Sequence, residues 1–374
     1  MISTFFLLLG FSNLIQFHFT HAYPIKECPS RFTKGQTSLH KKLTVTYQDI
    51  LRAKERIKPY FKKAGISSSV SFSQSLSDRY GFQVYLAKDY INPGGSFKLR
   101  GALNFLLSLD KIQKNKGVIA ASTGNHGIAL AYWGKKLGIN ITVVVGESDK
   151  NSSKLKKMKE LGAHVLVSGK NFNEAYENAL EASEGTGKIF SPGNEDPKII
   201  AGSATLALDI FTAVPNVNLV VGPVGGGALI AGMSIVSEEL LQKEKIDKSF
   251  KIYGVQIEGA DSMVQAIRTQ GKTMSIPQRE LDAPGIASFK AIESIRKIYE
   301  ASPVISMYTV SNQSIRPTIN HFFKTTNDIA EGAGITSLAL AEEGQLKKLS
   351  KETKVVFLIT GMNIDAALKN ELGL

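Results

Sequence analysis

From about Tyr47 onward, short apolar runs alternate with stretches in which apolar positions recur every three or four residues. The runs cover residues 82–86, 117–121, 141–145, 164–167, 218–221, 252–257 and 354–360. They are brief, rich in β-branched residues and apolar at nearly every position, the pattern of strands buried on both faces. Between them the periodicity predicts helices over 99–107, 128–137, 153–161, 172–182 and 229–241. Strands and helices alternating at this spacing predict an α/β protein with two doubly wound, mostly parallel sheets and helices on both faces. No repeat at a solenoid period interrupts the alternation.

The first 22 residues follow a different pattern. Phe5-Phe6-Leu7-Leu8-Leu9 opens an apolar stretch that runs to Phe19 and ends at Thr20-His21-Ala22, a small-residue cleavage site. Gly10, Ser12, Asn13 and Gln16 interrupt it, so it makes a poor membrane span. We read residues 1–22 as a secretory signal without a basic start, hence an exported protein, with an uncleaved start on a cytoplasmic protein as the alternative. Residues 23–43 are polar and irregular and read as a linker. No later stretch is apolar enough to cross a bilayer.

Composition narrows the class. Of 374 residues, 43% are hydrophobic and 21% charged, which excludes disorder as the main state. The single cysteine, Cys28, excludes a disulfide scaffold and a Cys₄ or Cys₂His₂ zinc site. The 45 basic and 33 acidic side chains leave a formal charge of +12. The lysines of 54–63, 111–116 and 154–159 lie among helix formers, so they read as solvated helix faces. Nothing resembling a helix-turn-helix or an RRM accompanies them, and no nucleic-acid partner is expected.

In open α/β sheets ligands bind beyond the carboxyl ends of strands, so the loops after the predicted strands are where chemistry is expected. Four of these loops stand out: residues 92–102, 122–127, 222–228 and 360–363. Gly225-Gly226-Gly227 can turn successive N–H groups toward an anion at the start of the following helix. No Gly-Lys-Ser/Thr follows, so this is not a Walker A loop, and Ile230 stands where a dinucleotide fingerprint needs its third glycine. Lys98 follows a Gly-Gly turn between Phe97 and Leu99. Such an apolar setting lowers an amine pKa and suits it to Schiff-base chemistry.

Ser96-Phe97-Lys98-Leu99-Arg100-Gly101-Ala102 resembles the cofactor-lysine motif of the threonine dehydratase and serine racemase family, pyridoxal 5'-phosphate enzymes of fold type II. Ser122 to Gly127 resembles the family's asparagine loop, Gly225 to Ala228 its glycine loop, and Glu331-Gly332-Ala333-Gly334 its late acidic-glycine motif. The motifs stand in the family's order from about Tyr47 to the C-terminus. The resemblance implies a large cofactor-binding domain of residues 44–115 and 194–374 and a small mobile domain of 116–193. A homodimer is implied too. The chain stops soon after Asn363, so no separate amino-acid-sensing module is expected.

Residue by residue, the resemblance implies that Lys98 forms the Schiff base with the cofactor and acts as base at Cα. Phe97 would pack behind the pyridine ring, and Asn125 would hydrogen-bond its 3′ oxygen. Gly225, Gly226, Gly227 and Ala228 would hold the phosphate, Ala228 replacing a fourth glycine. Thr360 would face the ring nitrogen as a neutral partner, which suits β-elimination or racemisation over transamination. Ser122, Thr123, Asn125 and His126 would hold the substrate carboxylate, with His126 orienting the loop rather than moving protons. The family often places a divalent-cation carboxylate at the end of the 252–257 strand and another six residues on. Gln256 and Ser262 stand there, although a local slip would bring in Glu258, and no metal is expected.

The activity implied is an ammonia-lyase that turns L-threonine or L-serine into a 2-oxo acid and ammonia. Two alternatives stay open: an amino-acid racemase using Lys98 and Thr123 on opposite faces, and a non-catalytic amino-acid or cofactor-binding protein.

Overall fold

The computed structural model describes residues 45–67 and 70–374. The candidate signal segment 1–22, the linker 23–43 and Cys28 lie outside the described residues. Ten strands are described: β1 (Val70–Phe72), β2 (Gln83–Lys88), β3 (Val118–Ala121), β4 (Ile141–Val145), β5 (His164–Val167), β6 (Ile189–Phe190), β7 (Leu219–Pro223), β8 (Lys251–Ile257), β9 (Ile305–Val310) and β10 (Lys354–Ile359). They form a six-stranded sheet in the order β1-β2-β10-β7-β8-β9 and a four-stranded sheet in the order β5-β4-β3-β6. Only β1 runs antiparallel to its neighbour.

Continuous apolar strands are explained by burial on both faces. Along β10, Val356 and Leu358 face one core cluster, shared with the helices Pro197–Ala213 and Ala228–Gln242. Val355, Phe357 and Ile359 face another, shared with the helices Ile315–Thr326 and Gly332–Glu342. The small sheet repeats the plan: Val118 and Ala120 pack under the helices Lys98–Ser108 and Asn125–Leu137, while Ile119 and Ala121 pack under Phe172–Thr186. Each face is apolar at period two, so their superposition erases the alternation.

All seven predicted strands form, with ends shifted by no more than two residues. Three strands were not predicted: β1, β6 and β9. The first two have three and two residues, too few to carry a period, and β9 is an edge strand with only Met307 and Val310 buried. Among the described residues no helix is long and apolar enough to cross a membrane.

The strand order places the chemistry. β2, β10 and β7 are parallel neighbours, so the loops that follow them leave the same edge of the sheet side by side. The fourth loop of interest follows β3 in the other sheet.

Candidate active site

After β2 the chain makes a turn held by Asn92, whose Nδ2 donates to Asp89 O at 2.7 Å and Ser96 O at 3.1 Å, while its Oδ1 accepts from Gly94 N at 3.0 Å. The loop after β10 is stitched to this turn: Phe97 N donates to Thr360 O at 3.0 Å and Met362 N to Gly95 O at 2.9 Å. Lys98 therefore starts its helix from a doubly fixed loop. Two residues on, buried Arg100 donates to both carboxylate oxygens of Asp89 at 2.7 Å and to Thr205 Oγ1 at 3.1 Å. It also pairs with Asp209 at 2.8 Å, and Asp209 takes Lys54 as well. Two carboxylates against two cations leave this interior network neutral, and it pins the helix carrying Lys98 to β2 and to the helix Pro197–Ala213.

Lys98 Nζ donates to Asn194 Oδ1 at 3.0 Å and lies 5.1 Å from the Phe97 ring centroid. Burial lowers its pKa from 10.5 to about 8. At neutral pH about a tenth of the side chain is then the free amine, the form able to attack carbon.

The glycine loop lies on the other side of Asn194. A Cβ on Gly226 would stand 2.5 Å from the Asn194 side chain, so this approach needs glycine. Gly227 has φ +90°, a left-handed turn that starts the helix Ala228–Gln242, and its carbonyl accepts from Tyr299 Oη at 2.9 Å. Ala228 is not among the residues with positive φ, so alanine serves there as well as glycine. Backbone N–H groups of such a loop and of the helix N-terminus are the groups that could hold a phosphate.

The third wall comes from the small sheet. The helix Asn125–Leu137 starts at Gly124 with no side-chain cap. Ser122 Oγ instead accepts from Gly127 N at 2.9 Å and Gly124 N at 3.3 Å, which holds the loop in shape. Thr123 lies at its partly exposed tip. His126 Nε2 meets Ser191 Oγ at 3.0 Å, and its buried Nδ1 has no hydrogen-bond partner. Burial, with the Lys98 charge second, lowers the His126 pKa to about 3, so the ring is neutral near pH 7 and is no proton donor there. Asn125 donates to Glu331 Oε1 and accepts from Asn363 Nδ2 at 2.8 Å. Thr360 is buried at the end of β10, its backbone knit to Phe97 and Gly334.

The structure thus brings Phe97, Lys98, Asn125, His126, the glycine loop and Thr360 to one place between the sheets. Sequence reading missed Asn194, which links Lys98 to the glycine loop from a segment with no strand or helix of its own. It also treated the lysines of 154–159 as a solvated face. Lys156 and Lys159 are exposed, but Lys154 reaches Glu331 at 2.6 Å and Lys157 reaches Asn363 Oδ1 at 2.8 Å. An i, i+3 spacing on one helix face was the available signal for that pair.

These residues fit pyridoxal phosphate. An amine made nucleophilic by burial, beside a glycine loop too close-packed for a Cβ at Gly226 or Gly227 and opening a helix, matches what an aldehyde-bearing, phosphorylated ring requires. A fold of two mostly parallel sheets with such a site defines a fold type II pyridoxal-phosphate enzyme. The profile of the pyridoxal-phosphate dependent enzyme family matches residues 69–361, and the chain belongs to that family. It is 34% identical over 326 residues to an L-threonine ammonia-lyase of Thermotoga maritima, covering 86% of this chain and 76% of the relative. The processed threonine deaminase isoform 2 of Solanum lycopersicum superposes with TM-score 0.80 at 28% identity, over 94% of this chain and 91% of that one. A serine racemase of Dictyostelium discoideum superposes with TM-score 0.75 at 27% identity, over 86% and 99%.

A divalent cation does not fit at Gln256 and Ser262. The Gln256 carbonyl oxygen accepts from Val264 N at 3.0 Å, which turns its Nε2 the other way, buried and unpaired. Ser262 Oγ, which donates to Ser288 Oγ at 3.4 Å, offers only a neutral oxygen, and Glu258 is exposed. An amide N–H is no cation ligand. Dialysis against EDTA is expected to leave activity unchanged; a loss reversed by Mg²⁺ would overturn this.

Proposed function

We propose that the protein is an ammonia-lyase that converts L-threonine or L-serine to a 2-oxo acid and ammonia. The observation that carries this is the Lys98 amine, with its pKa lowered to about 8, held between the glycine loop and the uncapped start of the helix Asn125–Leu137. The similarity to the threonine ammonia-lyase and threonine deaminase supports the same reading.

The substrate carboxylate would sit at that helix start, where backbone N–H groups and the helix dipole favour an anion. Neutral His126 would hold the loop and receive a hydrogen bond without competing for the proton. Lys98 would take the Cα proton, and the β-hydroxyl would leave with it as water. The enamine so released takes up water to give the 2-oxo acid and ammonia. Bound pyridoxal phosphate supplies the electron sink for the charge left at Cα. The separate hydrogen bonding of the four-stranded sheet supports 116–193 as a domain that closes over the substrate. We also infer export from the composition of residues 1–22, and a homodimer as the family expectation; the mass of the chain recovered outside cells and light scattering test these.

The test supplies the purified protein with pyridoxal phosphate and either amino acid, then follows 2-oxo acid and D-isomer together. Oxo acid from one substrate is the expected result and names it. D-isomer without oxo acid would replace the lyase by a racemase in which Thr123 delivers the second proton. Neither product would overturn both readings.

A further inference from the structure

Carboxamide oxygen and nitrogen are told apart only by their partners, and around Asn125 every partner has a single role. Asn363 Nδ2 donates to Gly94 O at 2.8 Å, and Asn363 Oδ1 accepts from the Lys157 ammonium at 2.8 Å. A carbonyl can only accept and an ammonium can only donate, so the Asn363 amide has one orientation. Its second N–H then goes to Asn125 Oδ1 at 2.8 Å. Asn125 Nδ2 is left facing Glu331, a carboxylate that can only accept. Glu331 is buried, and Lys154 meets its other oxygen at 2.6 Å.

An amide nitrogen carries two N–H bonds, and Glu331 uses one. We propose that Glu331 with Lys154, and Asn363 with Lys157, are positioning residues that fix the Asn125 amide so that its second N–H, never its oxygen, faces the ring oxygen of the cofactor. This rests on the reading of the site as a pyridoxal-phosphate lyase. Without the relay, an amide turned over would set its carbonyl against an oxygen anion, and the contact would become repulsive. Lys154 has a further part, since a buried carboxylate on the same amide would disfavour negative charge on the ring oxygen unless a cation balances it.

The two lysines come from the helix Ser153–Glu160, whereas Glu331 and Asn363 come from the six-stranded-sheet half. Ser153 Oγ adds a third contact across the same boundary, to Asp365 at 3.1 Å. The relay is complete only while the two halves are apposed. Secure holding of the cofactor ring is thereby tied to closure of the 116–193 segment.

The experiment measures the dissociation constant of pyridoxal phosphate from the full-length protein by equilibrium dialysis, with the absorption band of the bound cofactor as a second readout. Glu331→Ala is expected to weaken binding about tenfold, one oriented hydrogen bond, and to shift the band as Asn125→Ala does. In the Asn125→Ala background Glu331→Ala should cost nothing more, because it acts through that amide. Glu331→Gln keeps an acceptor and should recover most of the affinity. Asn363→Asp, nearly isosteric, puts an acceptor against Asn125 Oδ1 and should weaken binding like Glu331→Ala; it also serves if Glu331→Ala fails to fold. Equal losses from Glu331→Ala with and without Asn125, or wild-type affinity in Asn363→Asp, would overturn the proposal. Wild-type protein that binds no cofactor would instead overturn the reading of the site.

Discussion

Lys98→Ala is expected to reduce 2-oxo acid release by about a thousandfold or more. A positioned base alone contributes about 10²–10⁴ in rate, and this side chain is also the proposed covalent anchor. The glycine loop, Asn125 and Thr360 stay in place, so the variant should still bind pyridoxal phosphate, more weakly and without a covalent link. Lys98→Arg should be no better: a guanidinium is always charged and cannot supply the neutral amine that burial supplies here. Assay of the variant with saturating cofactor and mass spectrometry after borohydride reduction decide it. Retention of a tenth of wild-type activity would show that Lys98 is not the base.

Arg100→Leu is expected to be the most damaging change away from the reacting atoms. It removes the guanidinium from buried Asp89 and from the nearly buried Asp209, and leaves only Lys54 to balance two carboxylates. Breaking a buried ion pair from one side costs about 3–5 kcal/mol, because the surviving charge has no solvent. The loss should appear as a lowered urea midpoint read from Trp133, the single tryptophan. Its indole N–H donates to Leu99 O at 3.1 Å, so it reports on the helix that carries Lys98. A shift worth less than about 1 kcal/mol would mean that the network is screened like a surface pair. Arg100→Lys should recover only part of the stability, since one ammonium cannot reach both carboxylates in the planar fork that Arg100 uses.

The two predictions separate two kinds of information in the chain. Lys98 was visible because its chemistry is written in adjacent residues: a Gly-Gly turn, an aromatic neighbour and an apolar helix. The same holds for the glycine loop and for the strands buried on both faces. Burial acts residue by residue along a regular element, and the element's period turns it into a local pattern. Sequence alone therefore determined the α/β class, seven of the ten described strands, the loops in which to look for chemistry and the lysine we propose to react.

Contacts between segments far apart have no such record. Asn194 meets Lys98 across 96 positions, and Glu331 meets Asn125 across 206. Arg100 was legible as part of a motif, but not as the centre of a network joining Asp89, Thr205 and Asp209. Lys154 and Lys157 have the same composition as the exposed lysines around them and differ only in what stands opposite. β1 and β6 exist because a neighbouring strand offers its unpaired edge, not because their residues insist on it. Tertiary structure decided these, since a charge or an amide acquires its partner, its orientation and its pKa only when folding removes water and brings a second segment against it.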